Sequence, residues 1–381
     1  MSKIVFIASQ RLPTEKAYGL QIAKMCEAFA DSGVSVELLI PTRRNSKGQD
    51  MFDYYGVRRN FVVTCVSSPD FYFPGSLDRI AFSIKQLISA FKLVKVALSR
   101  NADVIYSRDE LPIWLAGFYC NHPKLVFEAH RFSSRRSWLY KKFKNTKVKI
   151  VTISNGIKNK FIEFGYGPQS MLVAHDGVDM EEFKNLPDQE TERRNLNLPL
   201  DKKIVMYIGQ LIDWKGVDTL VLSSALLDSN TLIFIGGGTD EDIRRLKKLD
   251  TANTVRFEGE TSSRRLAGYL KAADVLVLPN KKDGDISEFY TSPLKMFAYM
   301  ASGKPIVASD LPSLREVLNE KNSLLVEPND PEALAEGIQK IIREPNLADS
   351  LGKQALLDVT PLTWQSRATL IKDFLSLNDR N

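Results

Sequence analysis

Three short stretches of this 381-residue chain carry residue types able to do chemistry. In "YIGQLIDWKGVDTL", Gly209 closes an apolar run, Lys215 follows six residues on and Gly216 precedes a helical pattern. A lysine on a strand-to-helix loop stands among backbone N–H groups and neutralises phosphate as a point charge. A surface lysine beside a turn glycine is the competing reading. In "YTSPLKMF", Pro293 suits the first turn of a helix and Ser292 its N-cap. The free N–H groups and dipole of that end favour an anion. Lys295 sits in the same first turn, where the dipole disfavours a cation, so an anion bound nearby would account for it; a simple capped helix is the alternative. In "FEAHR", Glu128 and His130 lie at i, i+2 on one face of a strand end. A polar active-site role and a structural one stand level there.

Two glycine loops are less specific. "RLPTEKAYGL" enters a helix at Gly19, where the missing side chain admits close approach by a ligand or by another domain. "IFIGGGTDEDI" has three glycines after a strand but is neither G-x-G-x-x-G nor a Walker loop. A tight turn explains it equally well.

The elements that must position these loops alternate along the chain. "KIVFIAS", "VSVELLI", "DVIYS", "KLVFEAH" and "KIVTIS" read as strands. Between the first two, Ile22, Cys26, Phe29 and Ala30 share one helix face, and Gly33 ends that helix. A βαβ unit follows, with parallel strands. A second series begins at "KKIVMYIG" and runs through "TLIFIGGG", "NTVRFEG", "ADVLVLP", "KPIVAS" and "NSLLVEP", with helical stretches between them. Both series open alike, "KIVFIASQ" and "KIVMYIGQ", as the first strands of two similar sheets would. The fold class expected is therefore α/β, two Rossmann-like doubly wound domains facing across a cleft. Residues 1–185 form the first domain, the polar stretch 186–200 the linker, and 201–360 the second domain. Residues 361–381 form a last amphipathic helix packing back toward the first domain. Ligands of such sheets bind beyond the carboxyl ends of the strands. The loops that matter are then 9–19, 108–112, 128–135, 209–216, 236–240, 259–263 and 280–293.

Bulk properties narrow the class. The chain is 44% apolar and 26% charged, ordinary for a soluble globular protein. No apolar run approaches the ~20 residues that span a bilayer, and "MSKIVFIASQRLP" lacks the features of a signal peptide. Cys26, Cys65 and Cys120 have no metal spacing and read as reduced core residues of a cytoplasmic protein. With only three histidines, no metal site is expected. Charge is uneven: residues 1–190 hold 27 Lys+Arg against 19 Asp+Glu, the remainder 25 against 27. The excess concentrates in "RFSSRRSWLYKKFKNTKVK", residues 131–149, with eight basic residues and no acid. Arg131, Arg135, Arg136, Lys141 and Lys142 are its acceptor-side or membrane-side candidates. A solvated face competes with an anionic lipid surface or a phosphate-bearing acceptor. The interleaved Trp138, Leu139, Tyr140 and Phe143 favour a helix lying on a membrane, hence a peripheral place at its inner face. No nucleic-acid module accompanies the patch.

Over nearly its whole length the chain resembles the nucleotide-sugar-dependent glycosyltransferases of family 4, which have the GT-B fold. The resemblance rests on "YIGQLIDWKGVDTLV", "IFIGGG", "VRFEGETSSRRLAGYLKAADVLVLP", "YTSPLKMFAYMASGKPIVASDLPSLREVL" and "NSLLVEPNDPEALAEGI". In the first half "LPTEKAYGLQIAKMCEAFADSGVSVELL", "FEAH", "VTISNGIKNKF" and "AHDGVDMEEF" match too. It implies transfer of a sugar from a UDP- or GDP-sugar to a glycan, lipid-linked or small-molecule acceptor. Anomeric configuration would be retained, with no metal or cofactor, in a setting such as cell-envelope polysaccharide synthesis. By the same resemblance Lys215 neutralises the leaving diphosphate, and the amides around Thr291, Ser292, Pro293 and Leu294 bind it. Gly19 lies under it from the first domain, and His130 contacts the transferred sugar.

Three positions depart from the family pattern. Gln210 replaces an arginine that commonly follows the glycine, and the two acids eight positions apart become Tyr290 and Ala298. The second acid normally holds the ribose hydroxyls. A hydrogen bond to a charged group contributes ~1.5–3 kcal/mol, so its loss weakens nucleotide binding about ten- to a hundredfold. Glu288 lies near enough to replace the first acid in part. Family members of the "SPLK" type often lack the first acid, which leaves Ala298 as the main support for the alternative, a non-catalytic or inactivated relative. A dehydrogenase is a distant third, because no dinucleotide fingerprint with a downstream acid is present.

Overall fold

The computed structural model describes residues 2–43, 50–71, 73, 77–119, 124–259 and 265–377. Cys120 and most of the 259–263 loop lie outside them. The chain divides into two compact units, Met1–His175 with Trp364–Asn381, and Asp176–Thr363.

The first unit contains β1 (Lys3–Ile7), α1 (Ala17–Asp31), β2 (Ser35–Pro41), α2 (Met51–Tyr55), β3 (Val62–Val66), α3 (Leu77–Leu98), β4 (Val104–Ser107), α4 (Glu110–Ala116), β5 (Lys124–Ala129), α5 (Ser137–Asn145), β6 (Lys149–Thr152), α6 (Asn155–Glu163) and β7 (Met171–Val173). The second contains α7 (Gln189–Asn195), β8 (Lys203–Ile208), α8 (Val217–Ser223), β9 (Thr231–Gly236), α9 (Asp240–Lys247), β10 (Val255–Gly259), α10 (Leu266–Ala272), β11 (Val275–Leu278), α11 (Leu294–Ala301), β12 (Ile306–Ser309), α12 (Pro312–Arg315), β13 (Leu324–Val326), α13 (Pro331–Arg343) and α14 (Pro345–Val359). The last helix, α15 (Trp364–Leu375), returns to the first unit and packs on α1.

All strand pairs in the two sheets are parallel. The sheet orders are β3-β2-β1-β4-β5-β6-β7 and β10-β9-β8-β11-β12-β13. Each is the doubly wound order 3-2-1-4-5-6, with one strand added at the far edge of the first. The echoed octapeptides fall on β1 and β8, the same central position in both sheets. Strand order reverses between β1 and β4 and between β8 and β11, so each sheet has its ligand-binding crevice at those carboxyl ends.

Apolar burial explains both sheets. The strands read as continuous apolar runs because helices cover both faces. On the second sheet, one side holds Met206, Leu276, Leu278, Phe297 and Met300, and the other holds Val205, Tyr207, Val277, Leu220 and Ile338.

Several local expectations are corrected. Helix α1 is buried from Gln21 to Phe29 rather than along one face, because α15 covers its outer side. Polar Gln21, Lys24 and Glu27 are buried with the rest. Residues 186–200, read above as the linker, include α7, which packs on α10 inside the second unit. Arg193 fixes it there, donating to the Ala272 carbonyl at 2.9 Å and pairing with Asp274 at 2.5 Å. Cys26 is buried, but Cys65 on β3 is exposed rather than in the core.

Candidate active site

The crevice of the second unit is built by glycines and two lysines. Beyond β8, Gly209 has φ +150° and Gly237 φ +108°. A Cβ at Gly237 would overlap the Gly209 carbonyl oxygen, so the ends of β8 and β9 approach only as glycines. Gly216, φ +66°, packs in the same way on the Pro279 carbonyl after β11. Between them, Asp213–Lys215 form a single 3-10 turn. It is held by the Lys281 N–H donating to the Trp214 carbonyl at 3.0 Å.

Lys215 is 8% exposed, with its Nζ 3.7 Å from the centre of the Trp214 ring. Its Nζ has no hydrogen-bond or ion-pair partner among the described residues. Burial pulls its pKa down from 10.5 to about 7. Lys295 reaches in from α11: its Nζ lies 3.5 Å from the centre of the Tyr207 ring and against Gly209. This Nζ is buried and makes no hydrogen bond. Burial holds its pKa well below the lysine range, and the Lys215 charge lowers it further. Two lysine Nζ groups in a dry site, cushioned by aromatic faces and without an ion-paired carboxylate, suit a polyanion, whose charge would favour their protonated forms.

The start of α11 differs by one residue from the sequence reading. The helix begins at Leu294 with Pro293 in the capping position, and no side chain caps it. Ser292 does not act as the cap; its Oγ is buried without a partner. Thr291 and Ser292 are both buried in an extended approach to the helix. Ahead of them, Ile286–Tyr290 make one π-helical turn, tied to the lysine turn through Ser287 Oγ and the Trp214 carbonyl at 3.4 Å. Glu288 is half-buried on this turn, while Tyr290 is buried and donates to Asp285 at 3.2 Å. Ala298 is 7% exposed and belongs to the apolar core under α11. It stands at i+3 from Lys295, on a neighbouring part of the helix surface. Gln210 is exposed.

Asn280, beyond β11, was not singled out in the sequence. It is fully buried, and neither its amide nitrogen nor its oxygen has a partner. A lone asparagine after a strand carries no signal of its own. Its place at the reversal of strand order is what marks it.

The first unit gathers a second set of groups at its own crevice. Glu128, at the end of β5, is fully buried. It accepts from Gln21 Nε2 at 2.6 Å, from the Tyr106 hydroxyl, and from His130 Nε2 at 2.6 Å. It also pairs with Arg367 of α15 at 3.1 Å. Burial alone would raise its pKa, but the Arg367 charge and the His130 hydrogen bond outweigh that and hold it well below the carboxylate range. An ionised carboxylate only accepts, so the proton of this contact sits on His130 Nε2, and the ring orientation is fixed. Gln21 passes the network on, accepting from Arg108 Nη1 at 2.8 Å. Beside it Asp109 accepts from the Ser9 N–H at 2.7 Å and the Tyr18 hydroxyl at 3.0 Å.

Gly19 has a reason within this unit. A Cβ there would overlap the Tyr55 hydroxyl and press on Thr14, whose backbone N–H donates to that hydroxyl and whose carbonyl accepts from it. The basic run 131–149 becomes a 3-10 turn and α5. Of its interleaved aromatic and apolar residues, Leu139, Tyr140 and Phe143 are core and only Trp138 is exposed, so their interleaving reflects packing. Arg136 pairs with Glu110 at 2.6 Å, and Lys142 lies over the Phe118 ring. Arg131, Arg135 and Lys141 are exposed. The structure thus joins Lys215 to the loop before α11, and Glu128 to His130. Gly19, His130 and the basic candidates belong to the other unit.

Two family models match this chain: Glycosyltransferase Family 4 over residues 19–182, and Glycosyl transferases group 1 over residues 188–357. The chain is a glycosyltransferase family 4-like protein. The chain is 23% identical to a D-inositol 3-phosphate glycosyltransferase of Corynebacterium urealyticum, over 96% of this chain and 93% of that one. It is 27% identical to an uncharacterized glycosyltransferase of Methanocaldococcus jannaschii, over 54% of this chain and 52% of that protein. Several other curated relatives are likewise matched over about half of their own length. Among solved structures it is similar to Anabaena HepE in complex with UDP and glucose, with a TM-score of 0.79 at 17% identity, covering 99% of this chain and all of that one. With its two parallel α/β sheets, the family 4-like chain has the GT-B fold of two Rossmann-like domains.

Proposed function

We propose that this chain moves a sugar from a nucleotide-diphosphate sugar, UDP- or GDP-linked, to an acceptor hydroxyl with retention at the anomeric carbon. The carrying observation is the pair of buried lysines, Lys215 and Lys295, with no acidic partner beside an uncapped helix start. Such a site is costly when empty and complementary to a diphosphate. Charge develops on the leaving diphosphate as the glycosidic bond breaks, and preorganised cations and dipoles stabilise it most in the transition state. Lys295 also answers the absent arginine: its Nζ reaches Gly209, immediately before Gln210, and would carry the second positive charge once a diphosphate favours its protonation. The relatives support the reading, since HepE is a structure with UDP and glucose and the corynebacterial relative bears a glycosyltransferase name. No metal or cofactor enters this scheme. The acceptor is a glycan, a lipid-linked saccharide or a small molecule.

A thermal-shift and calorimetric panel of UDP-, GDP- and ADP-sugars tests the donor site. Binding of a UDP- or GDP-sugar by the wild type, lost in Lys215→Ala together with transfer and donor hydrolysis, is the expected result. Absence of nucleotide binding by both wild type and Ala298→Glu would overturn it in favour of a non-catalytic relative.

A further inference from the structure

Helix α3 of the first unit is apolar on two opposite sides. Ala81, Ala90, Leu93, Val94 and Ala97 face the core. Ile80, Ile84, Leu87, Ile88 and Phe91 recur at i, i+4, i+7, i+8 and i+11, which is one stripe along the helix. That stripe is exposed: Ile80 at 59%, Leu87 at 51% and Phe91 at 49%. A contiguous apolar stripe of five large side chains exceeds the scattered exposure normal for a surface.

Its neighbours supply the second observation. Helix α4 packs between α3 and α5 in one helical layer. Past α4, Phe118 and Tyr119 are exposed, and Trp138 of α5 is exposed beside them. Trp114 bridges this aromatic ledge, stacking edge-on against Phe118 and Trp138 with centroids 4.7 and 5.3 Å away. The ledge is set among exposed Arg135, Lys141 and Lys144, none with an acidic partner among the described residues. Lys95 stands exposed on α3 itself, in line with the stripe.

We propose that the α3–α4–α5 layer docks on the surface of an anionic lipid bilayer. The apolar stripe would enter the acyl boundary, the Trp and Tyr rings would sit at headgroup depth, and the basic residues would meet lipid phosphates. Charge decides against a second copy of this chain as occupant. A two-fold contact would set the same basic helices against each other, whereas an anionic surface neutralises them. None of the described helices is long and apolar enough to cross a membrane, so the contact is with the surface. This inference does not depend on the donor reading.

The test is co-sedimentation of the full chain with phosphatidylcholine vesicles with or without phosphatidylglycerol, at low and high salt. Binding is expected to phosphatidylglycerol vesicles and to weaken with salt. Ile84→Glu/Leu87→Glu is expected to cut it by more than about tenfold. Lys141→Glu and Lys144→Glu should each lower it by at least about fivefold. Unchanged thermal melting of each variant shows that folding is intact. No vesicle binding by wild type, or equal binding by Ile84→Glu/Leu87→Glu, overturns the proposal. So does a wild-type dimer in light scattering that this double variant dissociates while vesicles remain unbound.

Discussion

At the scale of single residues, the two buried lysines set a pH response. Unfolded Lys215 keeps its proton to about pH 10.5, but folded Lys215 loses it above about pH 7. Between those values the unfolded chain binds more protons, so this group makes the empty protein more stable as pH rises, by up to ~1.4 kcal/mol per unit. Lys215→Met removes the cost of the buried charge. Its melting temperature should exceed that of wild type at pH 6.5, and the gap should narrow steadily above pH 7 and close only near pH 10.5; a gap independent of pH would mean that Lys215 is not desolvated. Nucleotide affinity should run the other way, falling as the ammonium groups deprotonate. Lys295→Met should weaken UDP or GDP binding about ten- to a hundredfold by calorimetry, with no loss of thermal stability. An unchanged affinity would remove Lys295 from the site. Ala298→Glu separates two roles for one carboxylate. Holding ribose tightens nucleotide binding, whereas pairing with Lys295 at i, i+3 neutralises that lysine and weakens it. The ribose role predicts the tightening. Lys215 and the α11 start were legible in the sequence because a strand-loop-helix pattern and a cation against a dipole are local signals. Asn280, and the Tyr207 and Trp214 rings under the lysines, were not, since only strand order brings them together.

At the scale of elements, α15 shows how a helix distant in sequence completes a site. Arg367 pairs with buried Glu128 and donates to the His175 carbonyl at 2.9 Å. Arg367→Met leaves Glu128 buried without that partner, which costs about 3–5 kcal/mol. Chemical denaturation should show a loss of this size, and a loss under ~1 kcal/mol would mean that the network relaxes around the change. The strands and most helices of the two sheets were legible from periodicity. Helix α3 was not: it is apolar on both sides, so its pattern lacks the polar face that marks an amphipathic helix. Helix α5 misled in the opposite direction, because three of its apolar residues serve the core.

At the scale of the whole molecule, the second unit is one continuous segment and the first is not. A fragment of residues 176–363 should fold alone and bind UDP or GDP, while residues 1–175 without α15 should lack a cooperative thermal transition. Circular dichroism of the two fragments checks both, and a well-folded 1–175 would show that α15 is dispensable. The doubly wound pair was legible because alternating strands and helices leave few parallel topologies. The discontinuity of the first unit also orders events on the ribosome. Its first 175 residues emerge well before α15, which follows 188 residues later, roughly 10–40 s at ~5–20 residues per second. Through that interval the outer side of α1 is uncovered and Glu128 waits for Arg367. The later-made unit is thus the first able to finish folding, and the earlier one closes only once α15 has emerged.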